Sequence, residues 1–309
     1  MKRVAAVDCG TNSIRLLIAQ VGADGSLTDL VRQMQIVRLG QGVDATGRLA
    51  PEALERTFGV AREYAAAIAA ADVDGVRVVA TSATRDASNR DEFEAGFTEI
   101  FGVAPEVVPG EVEAALSFAG ATGGLATAGV AAPYLVVDIG GGSTEFVLGT
   151  EAPVAARSVD VGCVRMRERR LLGDPPSAEQ IEAATADIDA AIEQAAAVVP
   201  LGEAASLIGV AGTVTTLTAI ALGLQHYDPD AIHQARVPAV KVRGIAHRLL
   251  GLTREQRAAI PVMHPGRVDV IAAGALVLDR VLHAVGDADL IASEHDILDG
   301  IAASVISRS

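Results

Sequence analysis

Two short segments combine an aspartate, glycines and hydroxyl side chains between apolar runs that are typical of β-strands. The first is VAAVDCGTNSIRLLIA, residues 4–19, and the second is YLVVDIGGGSTEFVLG, residues 134–149. Glycine lets the backbone approach a ligand without a Cβ in the way, and successive N–H groups form an anion-binding concavity. The segments therefore suit a phosphate group, for which the predicted binding residues are Gly10, Thr11, Asn12, Ser13, Gly140, Gly141, Gly142, Ser143 and Thr144.

The carboxylates in these segments would repel a bare phosphate and therefore require a bridging cation. Mg²⁺ is the natural candidate, because it binds one or two carboxylates together with waters and phosphate oxygens. Mn²⁺ accepts the same kinds of ligand. The predicted metal ligands are Asp138 and Glu145, with Asp8 as a third. For either turn taken alone, the alternative is a plain glycine hairpin whose aspartates satisfy their own turn.

The second segment repeats the first at an offset of 130 residues (138 − 8). Four residue types recur at matched positions, since Val7, Asp8, Gly10 and Ser13 fall on Val137, Asp138, Gly140 and Ser143. Arg15 falls on Glu145, so one charge is inverted. These matches favour duplication of a strand–turn–strand unit over two unrelated hairpins. They predict two turns that face each other across a cleft between domains and together bind phosphate.

The composition excludes several classes of protein. Half of the 309 residues are hydrophobic, but only 3% are aromatic and tryptophan is absent, so stacking on nucleobases is a poor default mechanism. The formal net charge of −14 argues against binding to nucleic acid or to a membrane surface. Cys9 and Cys163 form no disulfide framework. No stretch approaches the ~20 apolar residues of a membrane span, and we expect a soluble cytoplasmic protein.

Strand and helix signals alternate along the chain, which predicts an α/β fold. Residues 2–9 and 13–21 indicate a β-hairpin, and Pro51 opens a helix. The strand pattern restarts at residue 134. We predict two domains, 1–124 and 125–309, that meet in the small-residue segment GATGGLATAG, with the last helix, about 297–307, packing back on the first domain.

The paired turns resemble those of the superfamily that contains actin, heat-shock chaperones and sugar kinases. Within it, VDCGTNSIRLLIA, ATSATRDASN, VDIGGGSTEFVLG, SVDVGCVRMRE and ASEHDILDGI resemble the Ppx/GppA family of exopolyphosphatases and guanosine pentaphosphate phosphohydrolases. The resemblance implies two ribonuclease-H-like (actin-like ATPase) domains with the active site between them, inorganic polyphosphate or pppGpp as substrate, and a homodimer. The chain ends at Ser309 without the helical C-terminal region of longer members, so we expect distributive hydrolysis of polyphosphate.

The resemblance also implies a catalytic glutamate at the start of a helix. The family pattern is like G-x-E-E-A-x-L, and GEVEAALSF places Glu113 on its second glutamate, with Val112 where the first usually stands. Glu111 is the competing candidate, one position out of register. Residues two apart on a helix point about 200° apart, so only one of them can face the site. We predict Glu113; the alternative is that both are merely acids in a first helical turn.

These residues together predict hydrolysis of a terminal phosphoanhydride. Glu113 would orient and deprotonate the attacking water, and the metal would neutralise phosphate oxygens. Arg15 and Arg85 would supply fork-shaped donors to the phosphate. Arg85 can instead form a surface ion pair with Asp86 or Asp91.

The leading interpretation is an exopolyphosphatase, and removal of the 5′ γ-phosphate of pppGpp is chemically close to it. An ATP-dependent small-molecule kinase or ATPase of the same superfamily is the alternative from another class; Arg15 and Glu113 fit the phosphatase pattern better. A phosphate sensor without catalysis is disfavoured, because Glu113, Asp138 and Glu145 are all present. The four arginines of RMRERR, residues 165–170, indicate either a solvated helix face or a rim that attracts a polyanion.

Overall fold

Two mixed β-sheets form the framework of the chain, one in each of two structural units. The computed structural model describes residues 2–23 and 26–308. The first unit is the chain up to Gly120 together with the segment from Ile297 onward, and the second is Ala121–Asp296. The last helix, which was predicted to belong to the second domain and to pack back on the first, is grouped with the first unit. The predicted α/β class is confirmed.

The sheet of the first unit has five strands in the order β3-β2-β1-β4-β5. The first three strands are antiparallel neighbours, and the last two run parallel to β1. Their bounds are β1 Arg3–Cys9, β2 Ser13–Val21, β3 Leu27–Ile36, β4 Gly75–Ala80 and β5 Glu106–Val107.

Helices cover both faces of this sheet. They are α1 Val43–Thr46, α2 Pro51–Ala71, α3 Ser82–Asp86, α4 Arg90–Phe101, α5 Gly110–Thr122 and, from the end of the chain, α13 Ile297–Arg308. As predicted, α2 opens on a proline. α4 ends at Gly102, whose φ of 71° is a left-handed conformation that favours glycine.

Alternation along β1 decides which side chains meet which helices, because successive side chains point to opposite faces of a sheet. Val7 packs in one apolar cluster with Tyr64 of α2 and Phe97 of α4. Ala6 packs in another cluster that includes Leu116 of α5 and residues of α13. Asp8 therefore falls on the α5 face of the sheet, two positions beyond Ala6.

The sheet of the second unit has six strands in the order β10-β11-β9-β6-β7-β8. Their bounds are β6 Tyr134–Ile139, β7 Thr144–Gly149, β8 Pro153–Val159, β9 Ser206–Val210, β10 Arg236–Val237 and β11 Leu290–Ala292. β6, β7 and β8 form an antiparallel meander, while β9 and β11 extend the sheet in parallel from β6. β10 adds an antiparallel edge strand.

The two sheets share one connectivity. β1 to β4 correspond in order and direction to β6 to β9, and β5 corresponds to β11. The hairpin registers also agree, since Asp8 pairs with Arg15 and Asp138 pairs with Glu145. The repeat seen in the sequence over one hairpin thus extends to five strands in the structure.

Seven helices surround the second sheet within the described residues. They are α6 Cys163–Arg169, α7 Ala178–Ala196, α8 Ala211–Leu222, α9 Pro229–Ile232, α10 Ala239–Gly251, α11 Arg254–Ala258 and α12 Ile271–Ala284. α7 begins with a capping box between Ser177 and Gln180. α12 begins at Ile271, and a separate 3₁₀ turn, Pro265–Arg267, precedes it. Among residues 2–23 and 26–308, we find no helix with the length and apolar character needed to cross a membrane.

Candidate active site

The same backbone hydrogen bond closes both glycine turns. The amide of Gly10 donates to the carbonyl of Ser13 at 2.9 Å, and that of Gly140 donates to the carbonyl of Ser143 at 3.0 Å. Each turn therefore returns the chain directly into the next strand. The match extends the repeat from residue types to turn geometry.

The carbonyl groups of the first turn point towards the loop after β3. The amide of Gly40 donates to the carbonyl of Thr11 at 2.8 Å, and the amide of Arg38 donates to that of Asn12 at 2.9 Å. In a trans peptide the carbonyl and the following N–H point in opposite directions. The N–H groups of Asn12 and Ser13 consequently point away from this loop, as an anion-binding turn requires.

Helix α6 makes the same contact with the second turn. The amide of Val164 donates to the carbonyl of Gly141 at 2.9 Å, and Nε of Arg165 donates to that of Gly142 at 2.7 Å. In each of these two peptide units the N–H group therefore points away from α6. Gly162 lies so close that an added Cβ would be 2.5 Å from the carbonyl carbon of Gly141. Gly162 lies in the motif SVDVGCVRMRE, but no role was predicted for it from the sequence.

Asp8 and Arg15 form an ion pair across the first hairpin. Oδ2 of Asp8 accepts from Nε of Arg15 at 2.9 Å and from Nη2 at 2.6 Å. The aspartate side chain is only 5% exposed, whereas the arginine side chain is 21% exposed. The predicted metal ligand and the predicted phosphate donor of this turn are therefore bound to each other.

Asp138 and Glu145 face each other across the second hairpin. Both residues are buried, and Ser158 on β8 donates from Oγ to Oε1 of Glu145 at 2.7 Å. Directly opposed residues in an antiparallel pair have Cβ atoms about 4.5–5.5 Å apart, which allows two carboxylates to share one cation. Among the described residues, no three or more aspartate, glutamate, histidine or cysteine side chains lie together so that they could hold a metal ion. A carboxylate pair still fits Mg²⁺ that takes its other ligands from water and phosphate.

Glu113 lies buried on the first turn of α5, on the helix that packs against the Asp8 face of the sheet. Its Oε2 accepts a hydrogen bond from Nη1 of Arg85 at 2.9 Å. Glu111 is exposed, as the helical spacing of the two glutamates requires. Of the two candidates, Glu113 is the one that the fold holds inside.

Arg85 contacts Glu113 in the structure, a pairing that neither sequence interpretation included. Its Nη1 also donates to the carbonyl of Val108 at 3.0 Å, so the guanidinium is anchored at two points. The side chain remains 24% exposed. Arg85 is placed to orient Glu113, and its predicted contact with phosphate stays a prediction.

Both cysteines are buried beside the turns and are poor nucleophiles. Burial and the neighbouring Asp8 raise the pKa of the Cys9 thiol, and burial raises the pKa of Cys163 to about 11. Thiols with raised pKa values stay protonated near neutral pH, and the thiolate is the reactive form. Cys9 packs in the apolar cluster of α2 and α4, as a small core residue.

The arginines of residues 165–170 make different intramolecular contacts. Arg165 holds the second turn, Arg167 donates to the carbonyl of Leu171, and Arg170 forms a bidentate ion pair with Asp187. The structure thus gives three of the four arginines separate intramolecular contacts. The prediction that they form a rim for polyanions remains untested.

A third turn, between β9 and α8, carries a contact that the sequence did not reveal. Ala211 has a φ of 67°, an uncommon left-handed conformation for a residue with a Cβ. The guanidinium of Arg267 packs on Gly212, whose carbonyl accepts from Nη1 at 2.7 Å. An added Cβ at Gly212 would lie 2.2 Å from Cζ of Arg267. The absence of a side chain at Gly212 therefore leaves room for the guanidinium of Arg267.

The fold and the two turns define a two-domain α/β protein of the actin-like class whose turns suit phosphate. The model of the Ppx/GppA phosphatase family matches residues 17–308. The chain therefore belongs to the Ppx/GppA phosphatase family, as predicted from its motifs.

Three relatives show how closely this family likeness extends. The chain is 50% identical to Exopolyphosphatase 2 of Mycobacterium tuberculosis over 317 aligned positions, which cover 99% of both proteins. It is similar to the crystal structure of an exopolyphosphatase-like protein, with 47% identity, a TM-score of 0.94, and 98% and 97% of the two chains covered. It is also similar to the PPX-GPPA enzyme of Aquifex aeolicus, with 29% identity, a TM-score of 0.81, and 98% and 99% covered.

Proposed function

We propose that the protein is a Mg²⁺-dependent exopolyphosphatase that releases the terminal phosphate of inorganic polyphosphate. The observation that carries the proposal is the buried carboxylate of Glu113, held by Arg85 on the helix against the Asp8 face of the sheet. The 50% identity to a protein named Exopolyphosphatase 2 supports the choice of substrate. Action in the cytoplasm and assembly as a homodimer are further parts of the proposal, and light scattering tests the latter.

Glu113 serves as the general base in this reaction. Its carboxylate accepts a proton from water as the water oxygen bonds to the terminal phosphorus, and the bond from that phosphorus to the bridging oxygen breaks. The electron pair leaves with the shortened polyphosphate, and orthophosphate is released. Arg85 keeps the carboxylate in one orientation, because its guanidinium is fixed to the carbonyl of Val108 as well.

The glycine turns bind the phosphate groups through their N–H donors. In both turns the carbonyls are engaged on one side, by Gly40 and Arg38 in the first and by Val164 in the second, so the N–H groups point to the other. Asp138 and Glu145 would hold Mg²⁺ or Mn²⁺, with Ser158 orienting Glu145. The metal would neutralise phosphate oxygens when bound. That one substrate uses both turns stays a prediction from the sequence repeat.

A parallel assay tests the proposal against its alternatives. Phosphate release is measured with Mg²⁺ from polyphosphate, pppGpp and ATP under identical conditions. We expect the highest kcat/KM for polyphosphate and no phosphate transfer to an added alcohol. Preference for pppGpp would identify a pppGpp 5′-phosphohydrolase, and ATP-dependent phosphorylation of an acceptor would identify a kinase; either result would overturn the proposal.

A further inference from the structure

The two turns differ in charge at one matched position. Cross-strand register pairs Asp8 with Arg15 in the first hairpin and Asp138 with Glu145 in the second. An aspartate and an arginine carry no net charge together, whereas two carboxylates carry two negative charges. Two copies with the same backbone geometry therefore present different electrostatic potentials.

In the first copy the carboxylate is more deeply buried than the guanidinium that it binds. Two nitrogens of Arg15 bind Oδ2 of Asp8, at 2.9 and 2.6 Å. The aspartate side chain is 5% exposed to solvent, and the arginine side chain is 21% exposed. The guanidinium is thus the more accessible charge of the pair. A divalent cation at Asp8 would have to displace this buried pair or lie against a like charge, which is costly where solvent screening is weak.

We propose that Asp8 is a positioning residue for Arg15 and not a metal ligand. In this arrangement the guanidinium of Arg15 supplies at the first turn the positive charge that a cation supplies beside Asp138 and Glu145 at the second. The ligand of the first turn is a terminal phosphate group, and this class of ligand rests on the proposed function. The inference revises the sequence expectation, which had Asp8 as a third metal ligand.

The backbone of the first turn supports this assignment. The N–H groups of Asn12 and Ser13 point away from the loop that holds the turn carbonyls. Arg15 follows Ser13 by two residues near the start of β2, so its guanidinium belongs to the same strand–turn–strand unit as these N–H donors. Guanidinium and backbone N–H groups together bind phosphate without a metal, because all of them are hydrogen-bond donors.

Metal binding gives the first test. Mn²⁺ binding is measured by electron paramagnetic resonance without substrate, in the Glu113→Gln background so that later turnover is prevented. We expect one ion per chain. Asp138→Asn and Glu145→Gln should each lower Mn²⁺ affinity by about tenfold or more, since even outer-shell partners of a metal contribute that much. Asp8→Asn should leave it within about twofold, well below that range; a loss comparable with that of Asp138→Asn would overturn the inference.

A charge swap gives the second test. Arg15→Glu makes the first hairpin a copy of the second, with carboxylates at both cross-strand positions. We expect the Mn²⁺ stoichiometry to rise from one to two, and Arg15→Glu combined with Glu145→Gln to return to one. If the folded Arg15→Glu protein still bound a single ion, the first turn would not be equivalent to the second and the inference would fail. If Arg15→Glu does not fold, the near-isosteric Asp8→Asn and the charge-removing Arg15→Gln decide the inference in the first and third tests.

Phosphate binding gives the third test. Tripolyphosphate affinity is measured by calorimetry in excess chelator, with Glu113→Gln as the parent protein. The parent is compared with variants that also carry Asp8→Asn, Arg15→Gln or both changes. Arg15→Gln should weaken binding about 10–100-fold, the usual size for a lost charged hydrogen bond. Asp8→Asn should weaken binding while Arg15 is present, and this weakening should vanish in the Arg15→Gln background, because Asp8 acts through Arg15. Persistence of that effect would overturn the positioning role. If the variants behave as expected in these tests but the wild-type protein hydrolyses no polyphosphate, only the proposed function would be wrong.

Discussion

Nη1 of Arg85 lies 2.9 Å from Oε2 of Glu113 and 3.0 Å from the carbonyl oxygen of Val108. One guanidinium nitrogen thus links the end of α3, the start of α5 and the segment between them. The carboxylate proposed as the base is held by a side chain that is itself anchored to backbone. This contact gives the site a defined orientation before any substrate binds.

Replacement of Glu113 by glutamine should remove turnover and leave binding. The amide keeps the shape of the side chain but cannot accept the proton from water, and loss of a general base typically costs ~10²–10⁴-fold in rate. Glu111→Gln is the matched control, because Glu111 is exposed on the same helix. Single-turnover phosphate release and calorimetry with tripolyphosphate separate rate from affinity. A normal rate in Glu113→Gln with a slow Glu111→Gln would move the base to Glu111.

Replacement of Arg85 by glutamine should lower kcat and destabilise the fold. It leaves the buried Glu113 carboxylate without this donor, a loss on the order of 1–3 kcal/mol in the free energy of unfolding. Glu113→Gln in the same chain should recover part of that loss, since the charge is then absent. Urea unfolding of the two single variants and the double variant measures the coupling. Strict additivity of the two changes would mean that the pair does not act as a unit.

Neutralising the second hairpin should raise the Mg²⁺ concentration needed for half-maximal rate. We expect a large rise for Asp138→Asn and Glu145→Gln and a smaller one for Ser158→Ala, which only orients Glu145. Asp187→Asn is the control, because its carboxylate pairs with Arg170 in an ion pair outside the hairpin. Mg²⁺ titrations of the initial rate provide the measurement. Full activity in excess chelator would contradict the metal requirement.

Gly162→Ala should distort the second turn. Its Cβ would lie 2.5 Å from backbone atoms of Gly141, which cannot yield as a flexible side chain would. We expect a destabilisation of about 1–3 kcal/mol together with loss of activity. Gly244→Ala within α10 is the control, because nothing lies within 4 Å of its added Cβ and alanine favours a helix. Thermal unfolding and the polyphosphate assay should separate the two variants clearly.

Stability should fall at alkaline pH in part because of Cys163. Its thiol has a pKa of about 11 in the fold and an ordinary value of 9.0, so between these values the unfolded chain binds fewer protons than the native one. The free energy of unfolding therefore decreases as pH rises through this window, by about 3 kcal/mol for this group. Cys163→Ala should show a shallower decrease between pH 9 and 11. An unchanged slope in urea unfolding would show that the thiol does not contribute.

Much of this protein is determined by local sequence pattern. The apolar runs around Asp8 and Asp138, the glycines after them and the helix opened by Pro51 each predict the element that the structure contains, because strand alternation and turn chemistry depend on neighbouring residues. The ordered motifs were also enough to assign the family, which residues 17–308 match. The prediction of Glu113 over Glu111 used only the helical period and a family pattern.

The contacts between elements were decided by the tertiary structure alone. The guanidinium of Arg85 binds the carboxylate of Glu113, and that of Arg15 binds the carboxylate of Asp8 on the neighbouring strand. Gly162 packs on a turn about twenty residues earlier in the chain. Spacing along a chain defines which face of its own element a side chain occupies, but not which side chain packing brings against it from another element. Sequence spacing suggested Asp8 as a third metal ligand, which stays a prediction, whereas only the folded hairpin showed its carboxylate bound to an arginine.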